Sequence, residues 1–301
     1  MPSRSRAALL IAVVCLVWGS TWIVIREGLV DLPPFTSAAA RFGIAAVVMS
    51  VVAHFLSRKE GGSAPPLALS FALGVLNFGA CYGIVYWSET RIPSGLASVL
   101  WSVFPMLMAI SGHVFLPGER LRGRQWAGFV LGFLGVVVLF ATDLRGIGAG
   151  AIPAGLVLLL SPTLAVIGTT YVKLHGAHVS SVLANRNGMW IGTALLAAAA
   201  LLFERGAPAH WTGPAIASVL YLAVVGTVLT FSLYFWLLRH TAANRLGLIA
   251  YVTPAIALLL GGFVGHEPIT AWTLSGSGLI LAGVLLVVRK PAGSGGTAGN
   301  S

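Results

Sequence analysis

Of the 301 residues, 57% are hydrophobic and only 9% charged, against roughly a quarter charged in an ordinary soluble domain, which excludes a globule covered by water. The formal charge is +10, yet Lys and Arg stand one to three at a time between apolar runs and form no stripe that could track phosphates, so nucleic acid is excluded as a partner. Cys15 and Cys81 both fall inside apolar segments, which leaves no disulfide framework and no metal set, and no cofactor is expected.

Apolar runs fall at 8–25, 35–56, 67–86, 93–115, 125–141, 152–172, 180–203, 214–238, 246–265 and 271–288. Each holds about 17 to 25 residues, the length a helix needs to cross a hydrocarbon core of about 30 Å. A barrel would instead show alternating segments of about ten residues. The first run follows Arg4 and Arg6 as a signal peptide would, but it carries two tryptophans and ends in no small-x-small cleavage site, so it reads as a retained span. An all-α membrane protein of ten transmembrane helices is predicted. Its units are residues 1–146, residues 147–290 and a flexible polar tail, 291–301, with the break at the glycine-rich loop Arg145-Gly-Ile-Gly-Ala-Gly150.

The second half repeats the first at a spacing of about 148 residues: Tyr86, Glu119, Gly128 and Gly135 recur as Tyr234, Glu267, Gly276 and Gly283, and Pro105 as Pro254. Arg41 and Gly43 are answered by Arg186 and Gly188. Repeats of five spans each must sit upside down relative to one another. Inverted repeats are the architecture of carriers that open one central site to each side of a membrane in turn.

Loop charge sets the orientation. A cytoplasmic N-terminus gives that side Arg4, Arg6, Arg58, Lys59, Arg120, Arg122, Arg124, Lys173, Arg239, Arg245, Arg289 and Lys290. The opposite side receives only Arg26, Arg91, Arg145 and Arg205. Both termini are therefore expected in the cytoplasm.

Certain short patterns recur in order along the chain. They are Trp18-Gly-Ser-Thr-Trp22, Ala40-Arg41-Phe42, the mid-span Pro105 and Pro254, and Glu119 and Glu267 before the closing spans. Together they resemble the drug/metabolite transporter superfamily, in its bacterial EamA-domain branch, over nearly the whole chain. The resemblance implies an inner-membrane carrier, with export of amino acids and related metabolites as the expected activity. The second half departs from the pattern in Gly168-Thr169-Thr170-Tyr171, which lacks tryptophan.

Bulky hydrogen-bonding groups at membrane depth need a partner. Trp18, Thr21, Trp22, Asn77, Tyr82, Trp101, Thr170 and Tyr251 are the candidates to line a central cavity. Tyr86 and Trp87, and Tyr234 with Phe235, lie nearer span ends; they either gate the exits or sit at the headgroup level as interfacial rings do. Pro105 would free the carbonyl of Trp101 and Pro254 that of Ala250, a matched pair of hinges. The glycines of spans 5 and 10 are read as helix-packing positions or a dimer contact.

No Asp or Glu lies in the middle of a span; Glu89, Glu119 and Glu267 sit at span ends, where a helix N-terminus satisfies an acid. Arg41 and Arg186 either snorkel, enter an ion pair or hold a substrate carboxylate. His113 either packs or relays protons. The expectation is a carrier, monomer or homodimer, of small neutral or zwitterionic metabolites with an apolar or aromatic part, working by alternating access. The alternatives are a broad exporter of amphipathic drugs or nucleosides, and an intramembrane enzyme. The last lacks paired carboxylates, a metal set or a Ser/Lys dyad.

Overall fold

The computed structural model describes residues 4–116, 121, 123–141, 148, 150–240 and 249–288. Glu119 lies outside the described residues, as do the side chains of Phe235 and Tyr251. Ten helices follow one another: α1 (Arg4–Gly28), α2 (Pro34–Glu60), α3 (Leu67–Glu89), α4 (Ser94–Phe115), α5 (Gly123–Ala141), α6 (Ala151–His175), α7 (Ser181–Phe203), α8 (213–240), α9 (Ile249–Phe263) and α10 (Ala271–Val288). Eight are long and apolar enough to cross a membrane, and α9 and α10 add two shorter apolar helices. Side chains such as Leu16, Val51, Phe133, Leu201 and Phe263 face outward and bare. Lipid tolerates that apolar surface and water does not, and a helix suits lipid because it satisfies its interior backbone groups within the segment.

The packing obeys a pseudo-twofold relation. Helix α1 packs on α9 as α6 packs on α4, α3 on α7 as α8 on α2, and α3 on α6 as α8 on α1. The pairs α2/α7, α4/α9 and α5/α10 are each their own mates. Two backbone bonds show the inversion directly. The Ser63 N–H donates to the His178 carbonyl at 2.8 Å, and the His210 N–H donates to the Asp31 carbonyl at 2.9 Å. Each residue of the second bond is the mate of one in the first, 147 positions away, and the two bonds lie at opposite ends of the antiparallel pair α2/α7. The fold is a ten-helix all-α membrane protein built of two inverted five-helix repeats.

Small residues set the closest crossings. A Cβ added to Gly128 would stand 2.6 Å from the Gly283 carbonyl, and one added to Gly283 would stand 2.5 Å from that of Gly128. The glycine rows of α5 and α10 therefore pack on each other within the chain, where dispersion between close backbones replaces the hydrophobic drive that lipid removes. Gly19 meets Ile256 of α9, and its repeat mate Gly168 meets the Asn77 side chain of α3.

Two features escape a reading of hydropathy. Helix α3 is π-helical over Leu73–Ala80 and α8 over Tyr221–Leu229. The two segments begin at repeat mates, and π turns recur at functional sites because they re-aim the side chains that follow them. Helix α4 is two pieces, Ser94–Trp101 and Phe104–Phe115. Pro105 sits at the start of the second piece, where a missing N–H is harmless, and the chain breaks at Ser102 and Val103 rather than bending. Pro254, by contrast, lies within the uninterrupted α9, and a further internal proline, Pro162, lies in α6.

Candidate functional site

The aromatic residues of α1 divide between two neighbourhoods. Trp22 is buried and its ring centroid is 6.4 Å from that of Trp101. Trp101 stacks on Phe104 at 5.1 Å, across the break in α4. Its indole N–H donates to the Ser161 hydroxyl at 3.0 Å, and Ser161 donates to the Cys81 carbonyl at 3.0 Å. One hydroxyl thus ties α4, α6 and α3 together beside the ring pair. Trp18 lies elsewhere, with Phe231 at 5.5 Å and Tyr234 at 5.3 Å, both of α8. Between these groups Ser20 and the Tyr221 hydroxyl are 2.7 Å apart, while Thr21 bonds back to the Trp18 carbonyl at 2.7 Å.

Asn77 and Thr170 occupy helix interfaces. The Asn77 amide donates to the Ala165 carbonyl at 3.0 Å and to Thr169 Oγ1 at 3.1 Å, against the bare backbone of Gly168. Its Oδ1 is buried without a partner. Thr170 pairs with Ser111 of α4 at 2.6 Å. The structure therefore pairs Trp22 with Trp101, which is bonded to Ser161, and places Trp18 in another cluster.

Arg41, two turns into α2, does not snorkel. It is 2% exposed, and its guanidinium lies 4.9 Å from the Tyr82 ring centroid and 5.0 Å from that of Phe42. Its Nε and Nη2 each donate to Thr227 Oγ1 at 3.2 Å, and Nη1 donates to the Tyr86 hydroxyl at 3.4 Å. Tyr86 is wholly buried, and Tyr82 packs edge-on against Phe42 at 4.6 Å. Its neighbour Trp87 lies under the Arg91 guanidinium, 4.0 Å from the ring centroid. Arg186 is engaged differently, donating twice to the adjacent Asn187 Oδ1 at 3.0 and 2.8 Å. His113 is exposed, and its Nδ1 accepts the Leu121 N–H at 3.3 Å.

The helix ends carry carboxylates; Glu267 is expected at a helix start from the sequence, whereas Glu60 and Glu204 are not. Helices α2 and α4 open after Pro33 and Pro93, neither of which offers a side-chain cap. The first N–H groups of such a helix need an acceptor from elsewhere. Glu204 accepts from the N–H groups of Phe35 and Thr36 at 2.6 and 2.8 Å, and Glu267 accepts from those of Ser94 and Gly95 at 2.7 and 3.0 Å. Glu267 thus caps α4, not the helix that follows it. At the other end of the bundle Glu60 accepts from Ser180 at 2.6 Å, from Ser181, and from the Val182 N–H at 3.2 Å. Arg26 closes the end of α3, donating to the carbonyls of Glu89 and Ile92, both at 2.9 Å. The Glu89 carboxylate is fully buried with neither oxygen bonded. Proline-led helix starts are the sequence signal that could have found the Glu204 and Glu267 caps.

The pattern of the EamA-like transporter family matches this chain twice, over residues 5–141 and 152–289. "Uncharacterized transporter YvbV" of Bacillus subtilis (strain 168) is 30% identical over 95% of this chain and 93% of its own length. "Uncharacterized transporter YoaV" of the same organism is 27% identical, covering 91% of this chain and 93% of its own. "Uncharacterized inner membrane transporter YedA" of Escherichia coli (strain K12) is 28% identical over 90% of this chain and 87% of its own. A solved crystal structure superposes with a TM-score of 0.66 at 22% identity, covering 94% of this chain and 96% of that one, a likeness of fold alone.

Proposed function

The chain belongs to the EamA-like transporter family, and from that premise we propose that it exports small neutral or zwitterionic metabolites with an apolar or aromatic part, amino acids among them, across the bacterial inner membrane. The observation that carries the substrate class is the Trp22–Trp101 ring pair beside the Ser161 hydroxyl, with the Ser20–Tyr221 contact nearby. Rings and hydroxyls without an interleaved carboxylate favour a ligand that is largely apolar and makes a few directed hydrogen bonds. Trp18, Thr21, Tyr82 and Tyr251 complete the proposed cavity set, while Asn77 and Thr170 are bonded at helix interfaces.

Alternating access supplies the mechanism, supported by the inversion of the two halves. On the orientation from loop charge, Glu204, Glu267 and Arg26 fasten the periplasmic end, and Glu60 the cytoplasmic end, where both termini lie. Carboxylate contacts to helix starts are short and charge-assisted, so they hold an end closed without large apolar contact. The glycine rows are consumed inside the chain by α5 and α10, which favours a monomer as the working unit.

The test is counterflow in proteoliposomes preloaded with unlabelled L-phenylalanine and offered the labelled amino acid outside. Transient accumulation is expected, with Trp101→Ala reducing it at least tenfold. No counterflow of any amino acid, beside movement of nucleosides or amphipathic cations, would replace the substrate class and keep the carrier.

A further inference from the structure

We propose that Arg41 is the receptor for a carboxylate on the transported molecule, a deepening that rests on the amino-acid reading above. A guanidinium taken out of water is stable only when an anion or a full set of acceptors answers it. Arg41 is 2% exposed, and its bonded partners are two neutral hydroxyls, Thr227 and Tyr86, at 3.2 to 3.4 Å. Among the described residues no carboxylate makes an ion pair with it. Glu89, also buried, makes no bond to it. Five N–H donors in a planar fork are thus held by a hydroxyl pair that a carboxylate can displace, with shorter and stronger bonds.

The position is built from both repeats. Tyr82 and Tyr86 follow the π segment of α3, and Thr227 lies within that of α8. Thr227 also donates its own proton to the Leu222 carbonyl at 2.7 Å, five residues back, so its lone pairs are turned toward Arg41. The corresponding place in the other half has no such set. The repeat mate of Thr227 is Gly79, and Arg186 is already answered by Asn187. One receptor in one half suits a molecule that carries a single carboxylate, with its apolar part left for the rings.

The experiment compares L-phenylalanine with L-phenylalaninamide, which keeps the ring and the ammonium but has no carboxylate, by the concentration dependence of thermal stabilisation of the purified protein. Wild type is expected to prefer the acid by roughly tenfold or more, the worth of one charge-assisted fork. Arg41→Gln should bind acid and amide alike, and Arg41→Lys, which keeps the charge without the fork, should lose several-fold of the preference. Glu89→Gln should keep it. Equal binding of acid and amide in wild type overturns the receptor and leaves the substrate class standing; binding of neither overturns both. If Arg41→Gln does not fold, an unchanged preference in Arg41→Lys overturns the receptor. So does loss of the preference in Glu89→Gln alone, which would make Glu89 the anion Arg41 answers.

Discussion

Glu60 and Glu204 bind opposite ends of the same helix pair. Glu60, at the end of α2, accepts from the first residues of α7, and Glu204, just past the end of α7, accepts from the first residues of α2. Each helix of the antiparallel pair supplies a carboxylate to its partner's start: for α2, which has no side-chain cap of its own, it is the cap, and for α7 it adds to the Ser180 cap on the Leu183 N–H. Capping at such distance couples helix formation to docking, most of all for α2, whose first N–H groups find their carboxylate only when α7 arrives.

Removing these caps should act in opposite directions. Glu204→Gln loses its charge-assisted acceptors at one end, at a cost on the order of 2 kcal/mol, and Glu60→Gln does the same at the other. With Cys15 and Cys81 replaced and one cysteine placed beside Trp101, labelling by membrane-impermeant maleimide should rise from the periplasmic side in the first variant and from the cytoplasmic side in the second. The same change in both would mean that the carboxylates hold the helices and not the exits.

The glycine rows give a sharper test of packing. Gly283→Ala drives a methyl group to 2.5 Å from the Gly128 carbonyl, whereas one at Gly278 meets nothing within 4 Å. Overpacking costs about 1–3 kcal/mol, so Gly283→Ala should lower the melting temperature in detergent and Gly278→Ala should leave it unchanged. Equal effects would place the α5/α10 contact elsewhere.

Sequence and structure part company in an orderly way. The ten spans and their inversion are legible because membrane crossing imposes length and composition locally, and the repeat is visible residue by residue. The π segments of α3 and α8 are not, since hydropathy carries no information on which carbonyl a given N–H will choose. Glu204 escaped because its partner Phe35 stands 169 positions away, and a lone glutamate after an apolar run reads as a span end. Arg41 was visible as a charge in the wrong place. Its fit between Tyr86 and Thr227 needed the two repeats to be folded together.

Trp101 and Ser161 form the most testable bond of the site. A double-mutant cycle of Trp101→Phe and Ser161→Ala should return a coupling of about 1 kcal/mol in thermal or denaturant stability, and each single variant should weaken counterflow of L-phenylalanine. Zero coupling would show that the indole N–H is answered by another group in the membrane.

Transport should not depend steeply on a pH gradient. Carrying a proton requires a group able to hold one within the span, and among the described residues the acids lie at helix ends or in loops, with Glu60, Glu204 and Glu267 committed to caps. Counterflow measured with and without a pH difference is expected to agree within about twofold. Uphill accumulation driven by pH alone, lost in Glu89→Gln, would overturn this and make Glu89 the proton carrier.

The last prediction concerns the two tyrosines that are repeat mates. Tyr86 is buried toward the Glu204 end of the bundle and its hydroxyl is held by Arg41, while Tyr234 lies toward the Glu60 end with its ring against Trp18. In an inverted pair the element that narrows one exit has a mate that narrows the other. Truncating Tyr86 to alanine removes a ring from the Glu204 end of the bundle and a hydroxyl from Arg41; truncating Tyr234 removes a ring from the Glu60 end and leaves Arg41 untouched. The first variant should therefore raise maleimide labelling of the Trp101-adjacent cysteine from the periplasm, the second from the cytoplasm. Tyr86→Phe, which keeps the ring, should label as wild type does while shifting substrate preference through Arg41. If Tyr86→Phe opens the same exit as Tyr86→Ala, the hydroxyl and not the ring is the gate, and the symmetry argument for Tyr234 falls with it.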